Sequence, residues 1–393
     1  MKEENSKKLI YYLSIIGFFA IFSTTISKNP VLSLFSNALG ANEAIIGLIA
    51  ALSPLAGILL SFPIGFISDK LGRKKILVIS GFIFMSAPLL YLIVQNPWFL
   101  IPIRFFHGMA TALLGPIASA IIAEKYSKTK GEKLGLYSSS TLIGRTLAPI
   151  LGGAIISYFV FYPGLFQYKA VYYTAFLIGL PVFIMTLFYK ESIIKQKITS
   201  KDFKKSLNSF LTNKAMRSTA LIEMATYFAF GAFETYLPLF LQMKGYSAYH
   251  AGIIFALQTL SIALSKPLFG KLSDKFDKRI QITLGISILG LSFILLPFFS
   301  NIIALIIISL VFGLGMSTST AATSAYVAEI SNKEELGASM GALSSTMDIG
   351  HSLGPFIVGI IISLSSYTIG FASTFTLIVI TAFLFYNATF KKR

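Results

Sequence analysis

Residues 302–328 read IIALIIISLVFGLGMSTSTAATSAYVA, a run with no charged residue. Coiled into a helix rising about 1.5 Å per residue, it is long enough to cross a hydrocarbon core about 30 Å thick. Comparable apolar blocks fill the rest of the chain, near 9–27, 44–67, 76–94, 98–123, 134–158 and 170–189, then 218–241, 251–270, 280–298, 337–363 and 368–389. Only helices or closed barrels satisfy their backbone groups in lipid, and these runs are continuous rather than alternating, so they read as helices. Composition agrees: 55% of the 393 residues are hydrophobic, only 12% are charged, and mean hydropathy is +0.75. A soluble domain carries about 25% charged residues. A soluble enzyme, a nucleic-acid-binding domain and a disordered chain are thereby excluded. With no Cys, disulfides, thiolate metal sites and Cys nucleophiles are excluded too. The first block lacks a small-residue cleavage site leading into a soluble domain, so it reads as a retained helix. The expectation is an all-α membrane protein of twelve transmembrane helices.

The net charge of +17 reports topology. Basic residues gather at the N-terminus (Lys2, Lys7, Lys8), in every second gap between spans, and at the C-terminus (Lys391, Lys392, Arg393). The opposite face has only Lys28, Lys169 and Lys244. Positive charge stays inside, which predicts a multi-pass protein of the cell membrane with both termini cytoplasmic.

The longest polar stretch, 190–217, divides the chain into six-helix halves at 1–189 and 218–393. It reads equally as an amphipathic helix on the inner leaflet or as a solvated linker. The halves repeat each other. At an offset of 205, Gly40, Gly47 and Gly65 match Gly245, Gly252 and Gly270, Ser68-Asp69 matches Ser273-Asp274, and Ala123-Glu124 matches Ala328-Glu329. At 206, Gly135, Gly144, Leu147 and Pro149 match Gly341, Gly350, Leu353 and Pro355. Two parallel, pseudo-symmetric halves are a transporter architecture, with a substrate site expected near the midplane.

Three stretches carry a family resemblance. After the second span stands Gly65-Phe-Ile-Ser-Asp69-Lys-Leu-Gly72-Arg73-Lys74-Lys75, with a degenerate copy in Gly270, Asp274, Asp277, Lys278 and Arg279. The fourth span holds Arg104-Phe-Phe-His107-Gly108. The fifth holds Gly144-Arg145-Thr-Leu-Ala148-Pro149-Ile-Leu-Gly152-Gly153, repeated in the eleventh as Gly350, Gly354, Pro355 and Gly359. With these motifs the chain, from about 9 to 389, strongly resembles the major facilitator superfamily, in its twelve-helix drug/proton antiporter type. The resemblance implies that the first cluster closes a cytoplasmic gate, with Gly72 at a tight turn and Asp69 and Arg73 as ionic partners. It implies that Arg104 tunes proton release from a carboxylate; snorkelling is the competing reading. It implies that the small residues of the fifth and eleventh spans pack helices tightly and that transport runs outward. His107 stands where Gln is more usual, and Ala148 replaces one Gly.

Ionisable residues inside spans are functional candidates by default. The bases are Arg104, Arg145 and Lys266; the acids are Glu223, Glu234 and Asp348; His107 and His351 can titrate. Asp348, near mid-membrane with His351 three residues on, is the first candidate for proton coupling, followed by Glu234. Arg145 reads as a counter-ion or substrate anchor. His107, Glu234, Tyr227, Phe230 and Tyr236 read as cavity residues for aromatic or lipophilic solutes. Glu223 reads as a structural partner, and Lys266 as snorkelling.

No GxxxxGK[ST] loop and no HExxH site is present. Gly337-Ala-Ser339-Met-Gly341 matches GxSxG, but it opens a membrane helix where a nucleophile elbow needs a strand–turn–helix. The chain therefore reads as a proton-coupled exporter of small solutes, not an enzyme. It calls for no cofactor, metal or nucleic acid, only a small-molecule substrate, protons and the bilayer, and it reads as a functional monomer. A sugar or metabolite permease and a transporter-like sensor are the alternative readings.

Overall fold

The computed structural model describes residues 2–189, 212–332 and 336–390, with side chains for all of these except 2–7, 61–63, 65–67 and 69–71. The helices are α1 (Lys2–Ile26), α2 (Val31–Ala38), α3 (Glu43–Leu71), α4 (Arg73–Leu92), α5 (Leu100–Lys125), α6 (Lys130–Tyr158) and α7 (Phe166–Phe188). After residues 190–211, where the linker reading lies outside the described residues, come α8 (Lys214–Met243), α9 (Ala248–Ser273), α10 (Lys278–Leu295), α11 (Ile302–Ile330), α12 (Leu336–Leu364) and α13 (Tyr367–Thr389). Among the described residues, eleven spans are long and apolar enough to cross a membrane. The remaining expected span is α8, a 30-residue helix whose charges Lys214, Arg217, Glu223 and Glu234 lower its hydropathy.

Local chemistry sets the breaks. Asn301 and Ser366 cap α11 and α13 through side-chain acceptors, and Asp277 caps α10. The repeated pair Gly40 and Gly245 have φ of 88° and 85°, the left-handed region that favours glycine. Their match in sequence is therefore a matched turn. Gly72, φ 88°, joins α3 to α4 in the same way. The short α2 was not expected, because eight residues cannot span and the stretch reads as a loop. It is tucked in by burial: Val31, Leu32, Leu34 and Phe35 are inaccessible, and Phe35 packs on Tyr168 and Tyr172.

The chain forms two compact units: Met1–Ala41, Leu52–Ile198 and Leu241–Ala256; and Asn42–Ala51, Thr199–Phe240 and Leu257–Arg393. In the first, α1 packs on α6 and α7, and α4 on α5 and α7, around Phe84, Leu113, Ile117 and Val182. In the second, α10 packs on α11 and α13. A Cβ on Gly285 would lie 2.4 Å from Ser319 N, and one on Gly315 2.6 Å from Leu289 N, so these helices meet backbone to backbone.

The units depart from the sequence halves at two helix starts, and repeated glycines are the reason. In the second unit, a Cβ on Gly47 would lie 2.1 Å from the Pro355 carbonyl oxygen. In the first unit, a Cβ on Gly252 would lie 2.3 Å from the Pro149 carbonyl oxygen. Gly47 and Gly252 match at one offset and Pro149 and Pro355 at the other, so the two contacts are images of each other. Tyr249 N also donates to Ser157 Oγ at 3.1 Å.

Candidate functional site

The seam between α8 and α12 builds the centre of the second unit. A Cβ on Gly350 would lie 2.1 Å from Met224 O, and one on Gly354 2.0 Å from Phe228 O. Side chains there would force the helices apart; glycines let the backbones touch. That contact seats His351 opposite Gly231, where an added Cβ would meet the His351 carbonyl oxygen at 2.7 Å and its ring at 2.9 Å. The imidazole Nε2 then lies 2.9 Å from Glu234 Oε2. Their side chains keep 20% and 11% of their exposure, so the pair is sheltered but reachable.

Between Ile222 and Leu241, the only side chains of α8 that are not fully buried are Met224, Tyr227, Phe230 and Glu234. Spacings of three and four put them on one stripe. Tyr227 and Phe230 flank His351, their ring centroids 6.4 and 5.5 Å from the imidazole. Two aromatic faces beside a carboxylate and an imidazole match the chemistry that receives an organic cation.

Other expected residues lie elsewhere. Asp348 is half-buried on α12 and, among the described residues, makes no side-chain hydrogen bond or ion pair with them. Its helix neighbour His351 turns to Glu234 instead, because the slot opposite Gly231 receives the ring. Tyr236, expected on a cavity wall, is fully buried. Its phenol lies 2.6 Å from Pro355 O and 3.0 Å from Glu43 O, donating to backbone carbonyls. It fills the space left by Gly47 and Gly359, whose added Cβ atoms would fall 2.4 and 2.1 Å from the hydroxyl. His107, expected in the cavity, is also sealed, at 1% exposure behind Tyr91. Arg104, 1% exposed, does not snorkel. Arg145 is exposed on α6 without an ion pair among the described residues, and Lys266 is exposed on α9.

The packing residues sit on neighbouring backbones. Added Cβ atoms on Gly144, Gly152, Gly153 and Gly359 would meet Phe18 O, Ile26, Ala248 O and Glu43 O. Ala148 and Pro149 are buried on α6.

Glu223, expected as a structural partner, is bonded across to α11. It is 5% exposed, and Thr323 Oγ1 donates to its carboxylate at 2.6 Å. One turn along, Thr226 and Ser319 hydroxyls lie 3.4 Å apart. The signal was present in Ser317-Thr-Ser-Thr320 and Thr323-Ser324: hydroxyls crowded into an apolar helix need polar company.

At the end of α3 the side chains of Gly65 and Asp69 lie outside the described residues. Lys74 is half-buried, and Arg73 forms a bidentate ion pair with Glu124 on α5. The 205-residue image of that pair is Lys278–Glu329, at 2.6 Å. The rest of the second copy departs from expectation. Gly270 has no atom of the described residues within 4 Å of an added Cβ, and Asp274 is exposed. Asp277 takes over as cap and partner of Arg279, whose guanidinium also donates to Thr389 O and covers Phe390. The Arg279 hydrogen bond holds the Asp277 carboxyl below its ordinary value.

A family model described as Major Facilitator Superfamily matches residues 13–260 and 245–393. The chain belongs to the major facilitator superfamily. Within the superfamily it is 26% identical over 336 residues to an uncharacterized MFS-type transporter of Methanocaldococcus jannaschii, covering 84% of this chain and 85% of that one. It is 24% identical over 369 residues to the quinolone resistance protein NorA of Staphylococcus aureus, covering 90% and 89%. Among solved folds it is similar to the nucleoside transporter NupG (TM-score 0.84, 16% identity, 97% of this chain and 100% of that chain). It is also similar to a bacterial homologue of the human lysosomal transporter Spinster (TM-score 0.81, 17% identity, 98% and 97%). The protein is thus a multi-pass membrane transporter of the superfamily.

Proposed function

We propose that the protein exports small lipophilic organic solutes, cations foremost, in exchange for protons by alternating access. The carrying observation is the Glu234–His351 contact on the partly open stripe with Tyr227 and Phe230. In one state the imidazolium neutralises the carboxylate. An arriving cation takes the carboxylate, settles on the aromatic faces, and makes the imidazolium costly, so His351 gives up its proton. One positive charge thus replaces another, and the pocket never holds an uncompensated charge, which a low-dielectric site penalises. Asp348 on the same helix is a second protonatable carboxylate of the path, and Arg145 an anchor for polar groups on the solute. NorA's name as a quinolone resistance protein supports the solute class. The distribution of basic residues supports a cell-membrane protein with both termini cytoplasmic.

The test is proton flux in sealed proteoliposomes with a pH dye inside, while lipophilic cations, sugars, nucleosides and organic acids are added in turn. Proton movement opposite to cation flow is the expected result. Movement with the solute establishes symport, and response to sugars or nucleosides alone removes the cation assignment.

The Arg73–Glu124 pair is proposed as the cytoplasmic latch of the first unit. Both side chains keep only 13% of their exposure, so the pair is more strongly coupled than a surface ion pair. Arg73→Gln and Glu124→Gln are each expected to slow turnover several-fold at little change in KM. The double variant should do no worse than either alone, with a coupling of about 1–3 kcal/mol in the stability cycle. Additive losses would show that the residues act separately.

A further inference from the structure

Arg104 is a full positive charge sealed inside the first unit, and among the described residues no carboxylate pairs with it. Its surroundings are neutral rings. Arg104 stands one helical turn before His107 on α5, and the Tyr91 hydroxyl lies 3.4 Å from His107 Nδ1. Tyr172 stacks on Tyr91 at 4.2 Å and 3°. Arg104 and His107 are 1% exposed, and Tyr91 and Tyr172 not at all.

The unsatisfied atoms share one character. Arg104 Nε, His107 Nε2 and the Tyr172 hydroxyl are buried with no hydrogen-bond partner among the described residues. If Tyr91 donates to His107 Nδ1, the tautomer places the other imidazole proton on Nε2. Three donors then lack an acceptor, around a cation that lacks a counter-charge. A water molecule accepts from one or two donors and leaves the charge uncompensated. A carboxylate-bearing solute cannot reach a cluster with at most 1% exposure. A single small anion supplies both acceptor capacity and charge.

We propose that a halide-sized anion, chloride in ordinary salt, is held by Arg104, His107 and Tyr172 as the resident counter-ion of the first unit. It acts as a positioning element: it fixes the guanidinium against α4 and α7 and relieves an otherwise unpaired buried charge. The site is independent of the solute pathway proposed at Glu234.

The experiment follows the thermal midpoint of the purified full chain as sodium gluconate is replaced by sodium chloride or bromide at fixed ionic strength. The midpoint is expected to rise and saturate, as binding to the folded state alone requires. Tyr172→Phe, which removes one hydroxyl, should weaken half-saturation at least tenfold. Arg104→Met, which removes the charge and keeps an apolar stem, should be insensitive to halide. Equal midpoints in gluconate and chloride overturn the proposal. So does an identical rise in Tyr172→Phe, which marks a general salt effect. Should both variants fail to fold, crystals of the unaltered protein grown in bromide decide. An anomalous peak within hydrogen-bond distance of Arg104 and Tyr172 supports the site, and none overturns it.

Discussion

Glu234→Gln is expected to abolish proton movement driven by cationic solutes and to weaken their binding at least tenfold, equivalent to about 1.4 kcal/mol. Glutamine keeps the shape of the side chain and can still accept from a neutral His351, so the seam between α8 and α12 should hold. What it loses is the charge for which imidazolium and solute compete. A neutral solute of similar size should lose much less affinity, which separates this outcome from collapse of the pocket. His351→Gln makes the complementary change: the carboxylate stays, so cations should still bind, but binding should no longer release a proton. The readouts are solute affinity by equilibrium binding and dye-reported flux in proteoliposomes. Unaltered coupling in Glu234→Gln would transfer the proton role to Asp348 or to Glu223, the other acids read as lying inside spans.

That competition between acids marks where sequence reading stops. Apolar run length supplied the spans, and the positive φ of Gly72 agrees with the tight turn expected there. Which side chain of a span faces which neighbour was not visible, because a helix apolar on all sides offers no polar face from which to orient it. His351 was therefore assigned to Asp348 by spacing along its own helix, when the glycines at 231, 350 and 354 turn it to Glu234 on another. Tyr236 and His107 were given to a cavity for the same reason. Aromatic rings in a membrane span look alike in sequence whether they meet a solute, lipid or, as with Tyr236, two backbone carbonyls. Glu223 differs, because its hydroxyl-rich partner helix could have been recognised one span at a time.

The repeated glycines give the second large expectation, because the structure divides a set that the sequence presents as uniform. Gly47, Gly252, Gly135 and Gly341 all belong to the offset series, and all four lie in helices. At Gly47 and Gly252 an added Cβ falls 2.1 and 2.3 Å from a proline carbonyl oxygen, far inside contact distance, and the obstacle is backbone, which cannot rotate aside. At Gly135 and Gly341 nothing among the described residues lies within 4 Å. Alanine should therefore cost about 1–3 kcal/mol at each of the first two positions by overpacking, with transport largely lost. At the second two it should be neutral or stabilise by about 0.4–1 kcal/mol, since it restricts the unfolded chain without meeting anything in the folded one. Thermal midpoints of the four single variants, measured in one detergent, check this directly. Because Gly47 and Gly252 are images of each other at one offset, their losses should be of similar size. A variant pair in which only one of them is damaging would mean that the matched contacts carry unequal loads. Damage at Gly135 or Gly341 would mean that those glycines meet something other than the packing found around them here.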